Sequence, residues 1–183
     1  MSRAVMLSIR PKWCEKIING EKTVEVRKTR PKLETPFKCY IYCTLQGCNE
    51  FFRVDLGGDV AKWNCGKWAD RKGNIIGEFT CDRIYELAPI NHAPDDVEKE
   101  ACLTREQIVR YLKGVGYGWH ISDLVIYDKP KELSEFKGPC KIDADCCACP
   151  YYNYTKMDCD GRKIKRPPQS WCYVEKTRRA DNG

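Results

Sequence analysis

The sequence predicts an α+β fold: a small mixed or antiparallel β-barrel with short helices at its ends and a cysteine-rich insert. Strand signals outnumber helix signals along the chain. They do not alternate strictly with helices, which disfavours a doubly wound parallel sheet. A run crowded with cysteine, residues 140–159, interrupts the last part of the strand pattern.

Residues 4–9, AVMLSI, are apolar and strand-like. RPKWCEKIING, 10–20, reads as one short helix, because Pro11 suits a first helical turn and Gly20 the position just past the end. KTVEVRK, 22–28, alternates: Val24 and Val26 point one way, and Thr23, Glu25 and Arg27 the other. FKCYIYCTL, 37–45, is rich in β-branched and aromatic residues and reads as a buried strand. Residues 46–72 are irregular, with Gly57, Gly58, Asn64 and Gly66 as turn signals. GNIIGEFTCDRIYEL, 73–87, is a long strand signal in which Gly77 marks a bulge or bend. Residues 88–101 read as a polar loop. LTREQIVRYLKG, 103–114, is the clearest helix: Thr104 and Gln107 match a capping box, Ile108, Tyr111 and Leu112 form a face, and Gly114 ends it. GYGWHISDLVIYDKPKEL, 116–133, opens on a Gly-rich turn and continues as a strand. SWCYVE, 170–175, is a final strand that in a barrel returns beside the first.

A length of 183 residues suits one domain with a small insert. The expected division is a main body over 1–139 and 160–175, the insert over 140–159, and a polar tail over 176–183. Hydrophobic residues at 42% and charged residues at 32% place the chain among globular rather than disordered proteins. No apolar run reaches the ~20 residues that cross a bilayer, so no membrane partner is expected. The first residues lack the apolar block of a secretory signal, and the expectation is a cytoplasmic protein. A net charge of +6 permits a polyanionic partner without demanding one. The positive charge is concentrated in GRKIKRPP and EKTRRADNG, near the C-terminus.

Thirteen cysteines cannot all pair internally, and in a reducing compartment close-set cysteines favour metal over bridges. Cys146 and Cys149 have the spacing of a zinc knuckle, and Cys140 and Cys159 flank them. The expectation is one structural zinc on Cys140, Cys146, Cys149 and Cys159, with Cys147 an alternative to Cys146. Four thiolates close the coordination sphere, so such a site staples a loop and activates no water. Free thiols are the plainer reading. Cys39, Cys43 and Cys81 fall on strands and read as small core residues.

INGEKTVEVRK, 18–28, carries Glu21, Lys22, Glu25, Arg27 and Lys28 in and around a strand, an unusual density of charge. Read alone, it is a solvated strand face with surface ion pairs, worth under ~1 kcal/mol each. Glu25 and Arg27 share a face, and a lysine beside an arginine attracts phosphate. A neighbouring carboxylate can accept from a base amino group or orient the lysine.

Taken as a unit, LSIRPKWCEKIINGEKTVEVRK resembles the signature of the ASCH family, the activating signal cointegrator homology domains of the PUA-like superfamily. The pattern is a short strand, a helix opening near Pro-Trp, and Gly-x-Lys-x-x-Glu-x-Arg entering the next strand. Here Ser8, Ile9 and Arg10 precede Pro11 and Trp13, and Gly20, Lys22, Glu25 and Arg27 complete the pattern. Lys12 stands between Pro11 and Trp13, where the family often has the two adjacent. The resemblance spans about twenty residues and does not include the insert. It implies a PUA-like barrel with a cleft lined by Lys22, Glu25 and Arg27, and binding of RNA or another nucleic acid, or of a modified nucleotide.

Trp13 and Trp119 are candidate stacking surfaces for a base, and Lys165 and Arg166 candidate phosphate contacts at the cleft's rim. Core tryptophans and a solvated basic loop are the plainer readings. Some small family members resemble amidohydrolases that deacylate a modified cytidine. In that alternative Lys22 and Glu25 are the catalytic pair. Such members carry a threonine where this chain has Glu25, and Glu78, Glu98 and Glu100 are the acids available later in the chain. A metal-dependent ribonuclease is a weaker alternative, since no tight carboxylate cluster stands out.

Overall fold

The computed structural model describes residues 3–45, 71–87, 93–139, 152–153, 158–159 and 162–175. In chain order the elements are β1 (Arg3–Ile9), α1 (Pro11–Ile18), β2 (Val24–Arg27), β3 (Phe37–Cys43), β4 (Ile75–Cys81), β5 (Ile84–Glu86), α2 (Val97–Ala101), α3 (Arg105–Leu112), β6 (Tyr117–His120), β7 (Ser122–Lys131), β8 (Tyr152–Asn153), β9 (Asp158–Cys159) and β10 (Trp171–Glu175).

The strands form a five-stranded sheet, β10-β1-β3-β4-β7, a three-stranded sheet, β2-β6-β5, and a small ladder of β8 with β9. β1 runs parallel to β3, and the other pairs are antiparallel. The fold is thus mixed α+β as the pattern implies, and the last strand does return beside the first. Among the described residues, no backbone ladder joins the two larger sheets into a closed barrel. A side chain does part of that work. The Arg27 guanidinium, at the end of β2, donates from Nη2 to the Ser8 carbonyl at 2.8 Å and from Nη1 to the Ser170 carbonyl at 3.2 Å.

Strict alternation along β1 and β3 makes the larger sheet two-faced. Val5, Leu7, Ile9, Cys39, Ile41 and Cys43 face a core shared with α1 and with Trp119 of the smaller sheet. Ala4, Met6, Tyr40 and Tyr42 face the opposite way, where Phe136 covers them. The smaller sheet is also covered on its second side: Val24, Val26 and Leu87 pack on Val97 and Ala101 of α2 and on Ile108 and Leu112 of α3.

Gly77 sits at a bulge. Ile76 and Phe79 share one core although three residues apart, because the register of β4 slips at Gly77. A Cβ there would stand 2.5 Å from the Val125 carbonyl. The long strand expected over 73–87 is two strands. The chain turns at Asp82 and Arg83 and leaves the larger sheet for the smaller one, and β6 and β7 make the reverse crossing at Ile121. The loop expected over 88–101 contains the short helix α2, whose Val97 and Ala101 lie one turn apart and bury against β2. Both ends of α3 and the start of α1 match their sequence signals: Pro11 opens α1, and Thr104 and Gln107 form the capping box. Cys39, Cys43 and Cys81 are core residues. No described helix is long and apolar enough to cross a membrane.

Candidate ligand-binding cavity

The site begins with how α1 ends. Gly20 takes φ of +73°, and the backbone N–H groups of Glu21 and Lys22 both donate to the Lys16 carbonyl. That left-handed step, which glycine adopts without strain, turns Lys22 back under the helix. Lys22 is 2% exposed. Its Nζ donates to the carbonyls of Val24 at 2.8 Å and Ala101 at 2.7 Å, and pairs with Glu25 Oε2 at 3.4 Å. An ammonium has three protons, and here three acceptors surround it. Lys22 is therefore held in one position by its partners.

Glu25 and Arg27 follow on β2. Strand alternation sends both away from the Val24 and Val26 core and toward the gap between the sheets. Glu25 is 7% exposed and Arg27 is 6% exposed. Glu25 Oε1 forms an ion pair with Arg27 Nη2 at 3.0 Å, so the carboxylate lies between two cations. Arg27 Nη1 also reaches Ser170 Oγ at 3.2 Å. A solvated strand face with loose ion pairs is thus not what these charges form.

These residues make the floor of a cavity of about 420 Å3. Its walls include Trp13, Thr44, Gln107, Tyr111 and Gln169, with Arg10 exposed at the mouth. The volume is that of a small-molecule or single-nucleotide site. Trp13 stands over Lys22, with Nζ 5.1 Å from the ring centroid, and the exposed Lys12 lies 4.6 Å from the same ring. Two polar atoms of cavity residues, Arg27 Nε and Thr44 Oγ1, are buried without a partner among the described residues. Gln107 accepts from the Thr104 N–H through Oε1, which fixes its amide and leaves its NH2 as the free end. A ligand here meets donors, a carboxylate with spare lone pairs, and two aromatic rings.

The other sequence candidates lie elsewhere. Trp119 pairs in register with Glu25, yet it is wholly buried and does not line the cavity. Phe37 at 5.8 Å and Trp171 at 6.0 Å enclose its ring, so it is a core residue with no face for a base. Lys165 and Arg166 are exposed and do not line the cavity, whereas Gln169 does. Glu78 is paired with Lys38 Nζ at 2.5 Å and accepts from the Tyr127 hydroxyl at 2.7 Å, away from the cavity. Glu98 caps α3 by accepting from the Arg105 N–H, and neither it nor Glu100 lines the cavity. Thr23 is likewise absent from its walls.

His120 lies outside the cavity and bonds Asp82, with Nδ1 and Oδ1 2.6 Å apart. Burial pushes the Asp82 carboxyl up, but the hydrogen bond and charge of His120 outweigh it and hold the pKa below the usual range. Cys140, Cys146 and Cys149 lie outside the described residues, as does the Cys159 side chain. Among the described residues, no three His, Cys, Asp or Glu side chains converge as a metal requires. Thr44, Gln107 and Tyr111 were not legible as site residues. The capping box and the apolar stripe account fully for Gln107 and Tyr111 in sequence.

No family model matches the sequence, and no curated protein does. Solved structures do. The ASCH protein of Zymomonas mobilis superposes with a TM-score of 0.53 at 18% identity, covering 94% of this chain and 88% of that one. Two single-residue variants of the same protein match at TM-scores of 0.53 and 0.54, each at 17% identity. This chain has the ASCH fold. Gly20, Lys22, Glu25 and Arg27, the residues that carry the resemblance in the sequence, are the turn and the three buried charges of the cavity floor.

Proposed function

We propose that the chain binds RNA through this cavity and takes one nucleotide, standard or modified, into it. The observation that carries the reading is the burial of Lys22, Glu25 and Arg27 at the floor of a nucleotide-sized cavity that also holds Trp13 and Tyr111. Two cations and one carboxylate leave net positive charge beneath the rings, and Arg10 adds to it at the mouth. The ASCH fold and the signature residues support the same reading. The deacylase alternative asks Lys22 to move a proton. Its Nζ is already engaged by two carbonyls and by Glu25, so the arrangement favours binding.

Titration of a labelled single-stranded RNA across salt concentrations tests the proposal. Tyr111 is 44% exposed, so Tyr111→Ala leaves the core intact. Loss of one stacking contact of roughly 1–3 kcal/mol weakens binding by about 5- to 150-fold. Lys22→Met weakens it further. Undiminished binding by both variants removes the cavity from the reading.

We also infer that the insert at 140–159 holds a structural zinc. The Cys146 and Cys149 spacing supports this. So does the pairing of β8 with β9, which sets the Cys159 backbone opposite Tyr152, three positions past Cys149.

A further inference from the structure

We propose that the segment joining β2 to β3 is a track for the backbone of a single-stranded nucleic acid leaving the cavity; this rests on the RNA-binding reading above. Lys28, Arg30 and Lys32 occupy alternate positions in it, and all three are exposed. The residues between them are anchors. Thr29 Oγ1 accepts from Trp171 Nε1 at 2.9 Å, Pro31 is buried, and Leu33 packs against the main core. The Lys32 N–H donates to the Tyr173 hydroxyl at 2.7 Å. The backbone is therefore tied down while the cations stand outside. Residues two apart are separated by at most ~7 Å, the scale of one nucleotide step.

Lys28 and Arg30 are placed by aromatic rings rather than by acids. Lys28 Nζ lies 5.4 Å from the Tyr111 ring, and Arg30 Cζ lies 5.6 Å from the Tyr117 ring. At the far end Arg3 Cζ lies 5.9 Å from Tyr173. None of Lys28, Arg30 and Lys32 forms an ion pair among the described residues. A cation held over a ring keeps its full charge for a phosphate, and ordering it beforehand lowers the cost of binding. The track joins the cavity directly, since Tyr111 belongs to both and Lys28 follows Arg27 in the chain. A basic line interleaved with aromatic rings and opening into a base-sized cavity fits a single strand better than an acidic peptide.

The test compares the full chain, Lys28→Ser/Arg30→Ser/Lys32→Ser, and Tyr111→Ala, each titrated with a single-stranded RNA oligonucleotide at several salt concentrations. Each phosphate neutralised on a single strand contributes about 0.7 to the log–log salt slope. The triple variant is expected to lose about 2 from that slope, and the charge-preserving Lys28→Arg/Arg30→Lys/Lys32→Arg variant to retain it. Tyr111→Ala is expected to weaken binding at every salt concentration. A triple variant with the full chain's slope overturns the track and leaves the cavity reading standing. Failure of the full chain to bind at low salt overturns both. Equal slope loss with a sulfated polysaccharide overturns the assignment to a nucleic-acid strand.

Discussion

Glu25 is the residue on which the site turns. It is a buried carboxylate between Lys22 and Arg27, and its charge is the one that lets two cations stay out of water. Removing one partner from a buried ionic cluster leaves uncompensated charge, at a cost of about 3–5 kcal/mol. Glu25→Gln keeps the shape and loses the charge, so urea unfolding is expected to show a loss of that size. A loss below ~1 kcal/mol would mean that solvent reaches the cluster. Asp82 gives a second residue-scale prediction. Its pKa is held below the usual range by His120, so its contribution to stability is present above the ordinary carboxylate pKa and is lost as pH falls through its folded value. Asp82→Asn is expected to lower stability at neutral pH and to leave it nearly unchanged below the folded pKa of Asp82, which flattens the acid limb of a stability-against-pH curve. The charges of 22–27 were legible because strand alternation separates them from Val24 and Val26. Trp119 was misread for a related reason. It shares a face with Glu25, and alternation says nothing about depth, so a ring enclosed by Phe37 and Trp171 looks the same in sequence as one open to a ligand.

Elements were legible where a chemical signal marks their ends. Pro11 and Gly20 bound α1, and the Thr104 and Gln107 pair opens α3, because capping and φ preferences act within a few residues. The break at Asp82 and Arg83 was not legible. The apolar run continues through it, and only the existence of a second sheet, a tertiary fact, makes the chain turn there. The same holds for α2, whose five residues bury only two apolar side chains. The capping box of α3 also orients Gln107 toward the cavity, so one device serves stability and the site. Thr104→Ala is expected to cost about 1 kcal/mol in denaturant unfolding, through the lost bond from the Gln107 N–H to Thr104 Oγ1, while the Gln107 amide keeps its bond from the backbone N–H of residue 104. At Gly77 the bulge leaves no room: a Cβ 2.5 Å from the Val125 carbonyl forces β4 away from β7. Gly77→Ala is expected to destabilise by about 1–3 kcal/mol, as overpacked sites do, and to speed hydrogen exchange along β7.

At the scale of the whole molecule, fold similarity at 17–18% identity rests on a layered arrangement that many sequences satisfy. The large sheet has a core on each face and the small sheet is covered by α2 and α3, and the described residues of these three cores lie outside 140–159. The insert leaves and re-enters at one place. Lys137 and Lys163 pair across its base, and the Gly138 N–H donates to the Arg162 carbonyl at 2.7 Å. Phe136 on one side and Ile164 on the other pack under the large sheet. An excursion clamped in this way can lose its internal staple without opening the cores. If Cys140, Cys146, Cys149 and Cys159 hold zinc, metal analysis of the purified chain gives about one zinc per molecule. Chelation then exposes 140–159 to proteolysis within the body's lifetime, while β1 and β3 keep their exchange protection. Cys146→Ser together with Cys149→Ser reproduces the chelated pattern without chelator. A metal-free chain whose insert resists protease to the same degree would put its stability in its own packing, and the cysteines would be thiols with no shared ligand.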